Sequence, residues 1–109
     1  MRQGKVFNNN IFVGLISKLD NGSYHFEYDP IYLSDTSMPA ISLTLPKSKR
    51  VFNSPILFPF FFNMLSEGRN KRLQSFVLKI DENDHFEFLL KTAATETIGA
   101  IRVEEIQNS

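Results

Sequence analysis

Between Lys5 and Asp29 apolar and polar residues alternate and are punctuated by turn residues, the pattern of half-buried antiparallel strands. Val6 and Phe7 open a first strand, Asn8-Asn9-Asn10 supplies side chains that tolerate positive φ in a tight turn, and Ile11 to Ser17 returns as a second strand. Gly14 inside that strand marks a bulge or a close backbone approach. Asp20-Asn21-Gly22 is a hairpin turn, after which Tyr24, Phe26 and Tyr28 share one face, expected to be the core face, and His25 and Glu27 share the other. Asp29-Pro30 ends the strand, and Ile31 to Asp35 reads as a helical turn. Ile41, Leu43 and Leu45 alternate with Ser42 and Thr44 and predict a further strand stopped by Pro46, while Lys47 to Pro55 has a loop-like composition. The period then lengthens. Leu73, Phe76, Val77 and Ile80, and again Phe86, Leu89, Leu90 and Ala93, recur at helical offsets and predict two helices that pack by these stripes. Asp84 and Glu87 form a capping box for the second, and Ile98 to Val103 reads as a last strand lying beside an early one. The expected fold is therefore α+β: a small twisted antiparallel sheet or partly open barrel of about five strands, with about three short helices on one side.

One run does not fit a simple amphipathic element. Leu57-Phe58-Pro59-Phe60-Phe61-Phe62-Asn63-Met64-Leu65, placed at 100° per residue, spreads apolar side chains over about 220° of a helical wheel, and a core-facing helix needs roughly half of that. Phe60, Phe61, Met64 and Leu65 can share one buried face, whereas Phe58 and Phe62, four residues apart, fall at its edge. Two readings stand. The rest of the chain wraps this helix on nearly all sides, or one edge meets a partner, because aromatic residues and Met are enriched at interface centres and monomers seldom expose large apolar patches.

Composition narrows the chemistry. The 109 residues suit one domain, and 42% of them are hydrophobic, enough for a core. Twelve basic and twelve acidic residues leave no net charge to steer the molecule toward nucleic acid or anionic lipid. There is no cysteine, hence no disulfide, thiolate ligand or cysteine nucleophile, and two separated histidines, His25 and His85, offer little to a transition metal and read as surface or hydrogen-bonding residues. No cofactor is expected. The N-terminal MRQGKVFNNN lacks an apolar signal core and no stretch approaches the length of a membrane helix, so a cytoplasmic protein with no membrane partner is expected.

The pattern Phe26-x-Tyr28, Ile41-Ser42-Leu43-x-Leu45-Pro46, Pro59-Phe60-Phe61-x-Asn63-Met64-Leu65-Ser66-Glu67-Gly68 and Gly99-Ala100-Ile101-Arg102 resembles, in order and spacing, the N-terminal domain of HipA-type toxin kinases from Lys5 to Val103. The central motif of that family usually reads Pro-Phe-Phe-x-x-Leu-Leu-Pro-Glu-Gly, so Met64 and Ser66 depart from it while Glu67 and Gly68 keep it. HipA-type kinases continue for some hundreds of residues into a catalytic core. This chain has no G-x-x-x-x-G-K-[ST] loop, His-Arg-Asp or Asp-Phe-Gly, so it is not expected to be an enzyme. In split three-gene relatives the N-terminal piece is a separate antitoxin, HipS, that binds the truncated kinase HipT. The resemblance thus implies a stand-alone HipS-like subunit of a HipBST system, one domain over residues 1–109 with a core over 5–103 and a tail over 104–109. It would bind and inhibit a HipT/HipA-type serine/threonine kinase toxin, a kinase class that typically targets aminoacyl-tRNA synthetases. The expected kinase interface is Phe58, Phe60, Phe61, Phe62, Met64, Ser66 and Glu67, with Phe62 the first choice for a side chain that obstructs the active site and Phe60 the second.

Other readings are blander. The alternative to an antitoxin is a scaffold or dimerisation module of a HipA-type kinase complex that does not inhibit. A third class, a ligand-binding barrel with its own small molecule, would need a polar-lined cavity. Lys47, Lys49 and Arg50, and then Arg69, Lys71 and Arg72, read as solvated surface rather than phosphate contacts; the resemblance gives DNA reading to a HipB-like helix-turn-helix protein in a possible ternary complex, and no direct sequence-specific DNA binding is expected. Asp81, Glu82, Asp84 and Glu87 fit the entry of a helix better than paired catalytic carboxylates, and Asn21-Gly22-Ser23 is accounted for by its turn.

Overall fold

A computed structural model describes residues 1–65, 84–92 and 100–106. Within them, the strands are β1 (Arg2–Asn8), β2 (Ile11–Lys18), β3 (Tyr24–Tyr28), β4 (Val51–Ser54) and β5 (Ile101–Glu105), and the helices are α1 (Pro30–Ser34), α2 (Pro59–Phe62) and α3 (His85–Thr92). The strands form one antiparallel sheet in the order β4-β3-β2-β1-β5. The sheet is open, with β4 and β5 at its edges, and the fold is α+β.

Local chemistry explains most of the strand order. Asn9 and Asn10 sit at φ 50° and 70°, the left-handed pair that a two-residue hairpin between β1 and β2 requires. Gly22, at φ 88°, closes the next hairpin, where Asn21 Oδ1 accepts from the Ser23 N–H and hydroxyl. The β1–β2 register slips beside Val6, where Gly14 pairs with Val6 but Phe12 pairs with Phe7, leaving Val13 as the extra residue of a bulge. Both expectations for Gly14 hold, because a Cβ there would also collide with the Glu27 carbonyl of β3. The first strand starts earlier than expected, at Arg2, and β5 runs through Glu104 and Glu105, the residues assigned to the start of a tail. It lies against β1, as the pattern predicts.

Two expectations are overturned in the connection between β3 and α2. The segment Ile41 to Leu45 makes a tight turn, with a single bridge between Ser42 and Leu45, and Leu43 is 100% exposed. Its alternating apolar residues are held apart by local bonds: the Ser42 hydroxyl accepts from the Thr44 N–H and lies 2.9 Å from the Thr44 hydroxyl, a competition typical of Ser and Thr. The buried Tyr28 hydroxyl accepts from the Ile41 N–H and donates to the Leu45 carbonyl, so one phenol fixes both ends of the turn. Burial pushes that phenol above its ordinary pKa, against the Ile41 N–H, and keeps it a donor. Tyr32 stacks on Tyr28 at 6.0 Å, donates to the Pro39 carbonyl and accepts from Asn8. The place at the sheet edge is taken instead by Val51–Ser54, inside the run expected to be loop. Phe52 pairs with Phe26 across β3 and β4, which supplies the apolar contact that the charged residues around it conceal.

The core lies between one face of the sheet and the helices. Val6, Val13, Ile16, Phe26, Tyr28 and Val103 are fully buried on the sheet side, and Tyr32, Phe61, Phe86, Phe88 and Leu89 meet them from the helices. Gly4 lets α3 approach, since a Cβ there would meet Leu90 and Val103 at 2.9 and 2.7 Å. The predicted stripe Phe86, Leu89 and Leu90 is buried, while Ala93 and the helix expected around Leu73, Phe76, Val77 and Ile80 lie outside the described residues.

The N-terminus of α3 is fastened to β1. Asp84 Oδ1 accepts from the Glu87 N–H at 3.1 Å, the first half of the expected capping box. The reciprocal half is replaced by ion pairs, because the Glu87 carboxylate takes the Arg2 guanidinium at 2.6 Å and Lys91 at 3.6 Å. Arg2 also reaches Asp84 at 3.4 Å. Partial burial would raise the Asp84 pKa, but the Glu87 N–H, Arg2 and Lys18 outweigh it and hold the carboxyl below its ordinary value. A carboxyl depressed on folding stabilises the fold above its unfolded pKa, and that contribution is lost as pH falls through the folded value. The thermal stability of the wild type is therefore expected to fall as pH drops below the ordinary carboxylate range, and Asp84→Asn should flatten that acid limb while leaving the neutral-pH curve nearly parallel. An unchanged acid limb in Asp84→Asn would remove Asp84 from the acid response.

Candidate functional site

The aromatic run has a sharper structure than a uniform helical wheel allows. Pro55 and Pro59 interrupt the backbone on either side of Ile56-Leu57-Phe58, and only Pro59–Phe62 forms α2. Phe58 stands before the helix in extended conformation, at φ −55° and ψ 134°, with its carbonyl accepting the Phe61 and Phe62 N–H groups. The chain leaves α2 through three-residue turns, Met64 N–H to Phe61 and Leu65 N–H to Phe62. Projection at 100° per residue therefore misplaces the ends. Phe58, expected at the exposed edge with Phe62, is buried, because it is not on the helix.

The other positions sort clearly. Phe61 is fully buried, with its ring 5.7 Å from Phe26, 6.4 Å from Phe58 and 5.3 Å from Phe60. Met64 and Leu65 are buried, and Phe60 is partly buried against the same cluster. Phe62 alone of the phenylalanines in this segment is exposed, at 41%. Of the seven interface residues expected from sequence, then, Phe62 offers an open ring, Phe60 part of one, and Phe58, Phe61 and Met64 shape the support beneath them. Ser66 and Glu67 lie outside the described residues.

Phe62 borders an apolar groove of about 500 Å³. Its lining includes Tyr24, Pro55, Ile56, Leu57, Phe62 and His85. Ile56 is 66% exposed, so two large apolar side chains stand open at one depression. His85, the first residue of α3, packs its imidazole edge-to-face on the Phe62 ring at 5.0 Å. Sequence pattern alone missed Ile56 and His85 as members of this site. The signal for Ile56 is present in the sequence: a large apolar residue between Pro55 and Pro59, in a stretch that the prolines keep out of any regular element.

The remaining candidates are placed elsewhere. Lys47 donates to the Asp35 and Met38 carbonyls and lies over Tyr32, Lys49 lies over Phe52, and Arg50 reaches Glu27, so the first basic cluster ties the β3–β4 connection together. The second, at Arg69, Lys71 and Arg72, is outside the described residues, as are Asp81 and Glu82. His25 Nδ1 is 2.9 Å from Asn53 Oδ1, on the sheet face opposite the core. Among the described residues no group of three His, Cys, Asp or Glu side chains is arranged to hold a metal, and no helix is long and apolar enough to cross a membrane.

Comparison with known proteins agrees with this architecture. The chain is 36% identical over 105 residues to an uncharacterized protein of Haemophilus influenzae (strain ATCC 51907 / DSM 11121 / KW20 / Rd), a match covering 96% of this chain and 93% of the relative. Its structure is similar to the N-terminal domain of HipA toxin, with a TM-score of 0.75 and 32% sequence identity over 100% of this chain and 96% of the other. The family model for the HipA N-terminal domain matches residues 4–104, nearly the whole sequence, and the protein therefore belongs to the HipA N-terminal domain family and is related to a component of HipA toxin–antitoxin systems.

Proposed function

We propose that this domain is a HipS-like antitoxin that binds a HipA/HipT-type serine/threonine kinase and inhibits it, itself carrying no catalytic activity. The observation that carries the reading is the open Phe62 ring beside the exposed Ile56 at an apolar groove, in a segment whose other aromatic residues are wholly or partly buried. Exposed apolar side chains of this size, clustered at a depression, are characteristic of surfaces that a partner covers. Phe60, partly buried against the core, stands second to Phe62, and Ser66 and Glu67 are retained in the proposed interface on the sequence motif alone. Inhibition is steric: an outward aromatic ring enters or distorts the kinase active site while the domain's sheet holds it in place. In this reading the protein works in the cytoplasm beside its kinase, and a HipB-like DNA-binding protein joins the complex without this domain reading DNA itself.

The test is autophosphorylation of the kinase that co-purifies with this protein from its own cells, measured with and without added domain. Inhibition that saturates with the stoichiometry of the complex is expected. A stable complex whose phosphorylation is unchanged or raised would replace inhibition by the scaffold role.

A further inference from the structure

We propose that His85 is a positioning residue for the Phe62 anchor, an inference that rests on the reading of Phe62 as the side chain that enters the kinase. An exposed aromatic ring on a four-residue helix has several rotamers open to it, and fixing one on binding costs affinity. The imidazole of His85 limits that freedom by standing edge-to-face on the Phe62 ring, with centroids 5.0 Å apart and planes inclined at 70°. Such a contact orients Phe62 without closing it off, since the residue stays 41% exposed.

The backbone that carries the imidazole is itself held from behind. His85 begins α3 directly after Asp84, whose carboxylate accepts from the Glu87 N–H and faces the Arg2 guanidinium, and Arg2 bonds Glu87 as well. The next residue, Phe86, is fully buried against Tyr24 at 5.8 Å, with Arg2 over its ring at 5.5 Å. Residues on both sides of His85 are thus fastened to β1 and β3, and the histidine carries that rigidity across to α2. Tyr24 and His85 also both line the groove, so the ring that orients Phe62 forms part of the surface beside it. The contact is aromatic and its geometry is set by ring shape, so a phenylalanine at 85 would perform it and an alanine would not.

The experiment uses the complete chain and the kinase that co-purifies with it, comparing wild type, His85→Ala, His85→Phe, Phe62→Ala and the double variant His85→Ala with Phe62→Ala. In the free protein, side-chain NMR should show one dominant Phe62 χ1 rotamer in wild type and in His85→Phe, and averaging in His85→Ala. For the complex, His85→Ala should raise the Kd roughly 3- to 10-fold, the worth of one edge-to-face pair, and His85→Phe should restore it to within about twofold. The double variant should bind no more weakly than Phe62→Ala alone, because a positioning residue has nothing to act on once the ring is gone. The inference is overturned if His85→Ala leaves the Phe62 rotamer fixed, if His85→Phe fails as His85→Ala does, or if the two alanine effects simply add. Phe62→Ala with unchanged affinity would instead overturn the underlying reading of Phe62, and the rotamer measurement would then stand as a statement about the free protein alone.

Discussion

Phe62→Ala is expected to weaken the complex with the kinase by about one to two decades in Kd and to release kinase activity, while the domain stays folded. The size follows from area. Full burial of a Phe side chain contributes roughly 1.5–3 kcal/mol, and each 1.4 kcal/mol is about tenfold in affinity. Phe62 is already partly covered by its own domain, but the residue remains 41% exposed next to Ile56 on a groove, and a few large anchor side chains carry most of the binding energy of an interface. The cost to the fold is smaller. Removing the ring forfeits its contact with His85 and leaves no closed cavity, so unfolding stability should fall by about 1 kcal/mol or less, a shift of at most about 4–8 °C in Tm. Titration calorimetry against the kinase and thermal unfolding of the free domain separate the two effects. If Phe62→Ala binds and inhibits like wild type, the groove edge is not the kinase contact; if it unfolds, Phe62 belongs to the core.

The strands and turns of the first thirty residues are legible from sequence because the relevant forces are local. Two asparagines at positive φ, a glycine after Asp-Asn and a period of two fix both hairpins without reference to the rest of the chain. Legibility fails between residues 41 and 54, where Ile41, Leu43 and Leu45 carry a strand pattern and Val51 to Ser54 carry a weaker one, yet only the second pairs with β3. That choice depends on Tyr28, thirteen and seventeen residues away from the turn that its hydroxyl holds. Periodicity contains no record of such a bond. The aromatic run shows the same division: its excess of apolar surface is visible in the sequence, and Phe62 emerges as exposed from the wheel, but Phe58 does not follow because Pro59 begins the helix one residue too late for it. Ile56 and His85 join Phe62 only when α3 is brought against α2, a contact between residues more than twenty positions apart.

The neighbouring substitution Phe61→Ala should have the opposite signature. Phe61 is fully buried and its ring meets Phe26 of β3, Phe58 and Phe60, so alanine there opens a cavity that the close-packed surroundings refill only in part. Core Phe→Ala changes cost about 3–5 kcal/mol, against a total of about 5–15 kcal/mol for a domain of this kind. A fall in Tm of more than about 12 °C is expected, or a urea midpoint lowered in proportion at unchanged m-value. Phe61→Leu, which refills much of the volume, should recover more than half of the loss. The contrast between positions 61 and 62 is the informative quantity, since the two residues have the same side chain, the same helix and adjacent places in it. If one substitution acts on stability and the other on affinity, the four-residue α2 divides cleanly into a face that holds the domain together and an edge that meets the kinase. Should Phe61→Ala leave the unfolding curve within about 1 kcal/mol of wild type, the packing that supports Phe62 would not be the rigid base that the anchor needs.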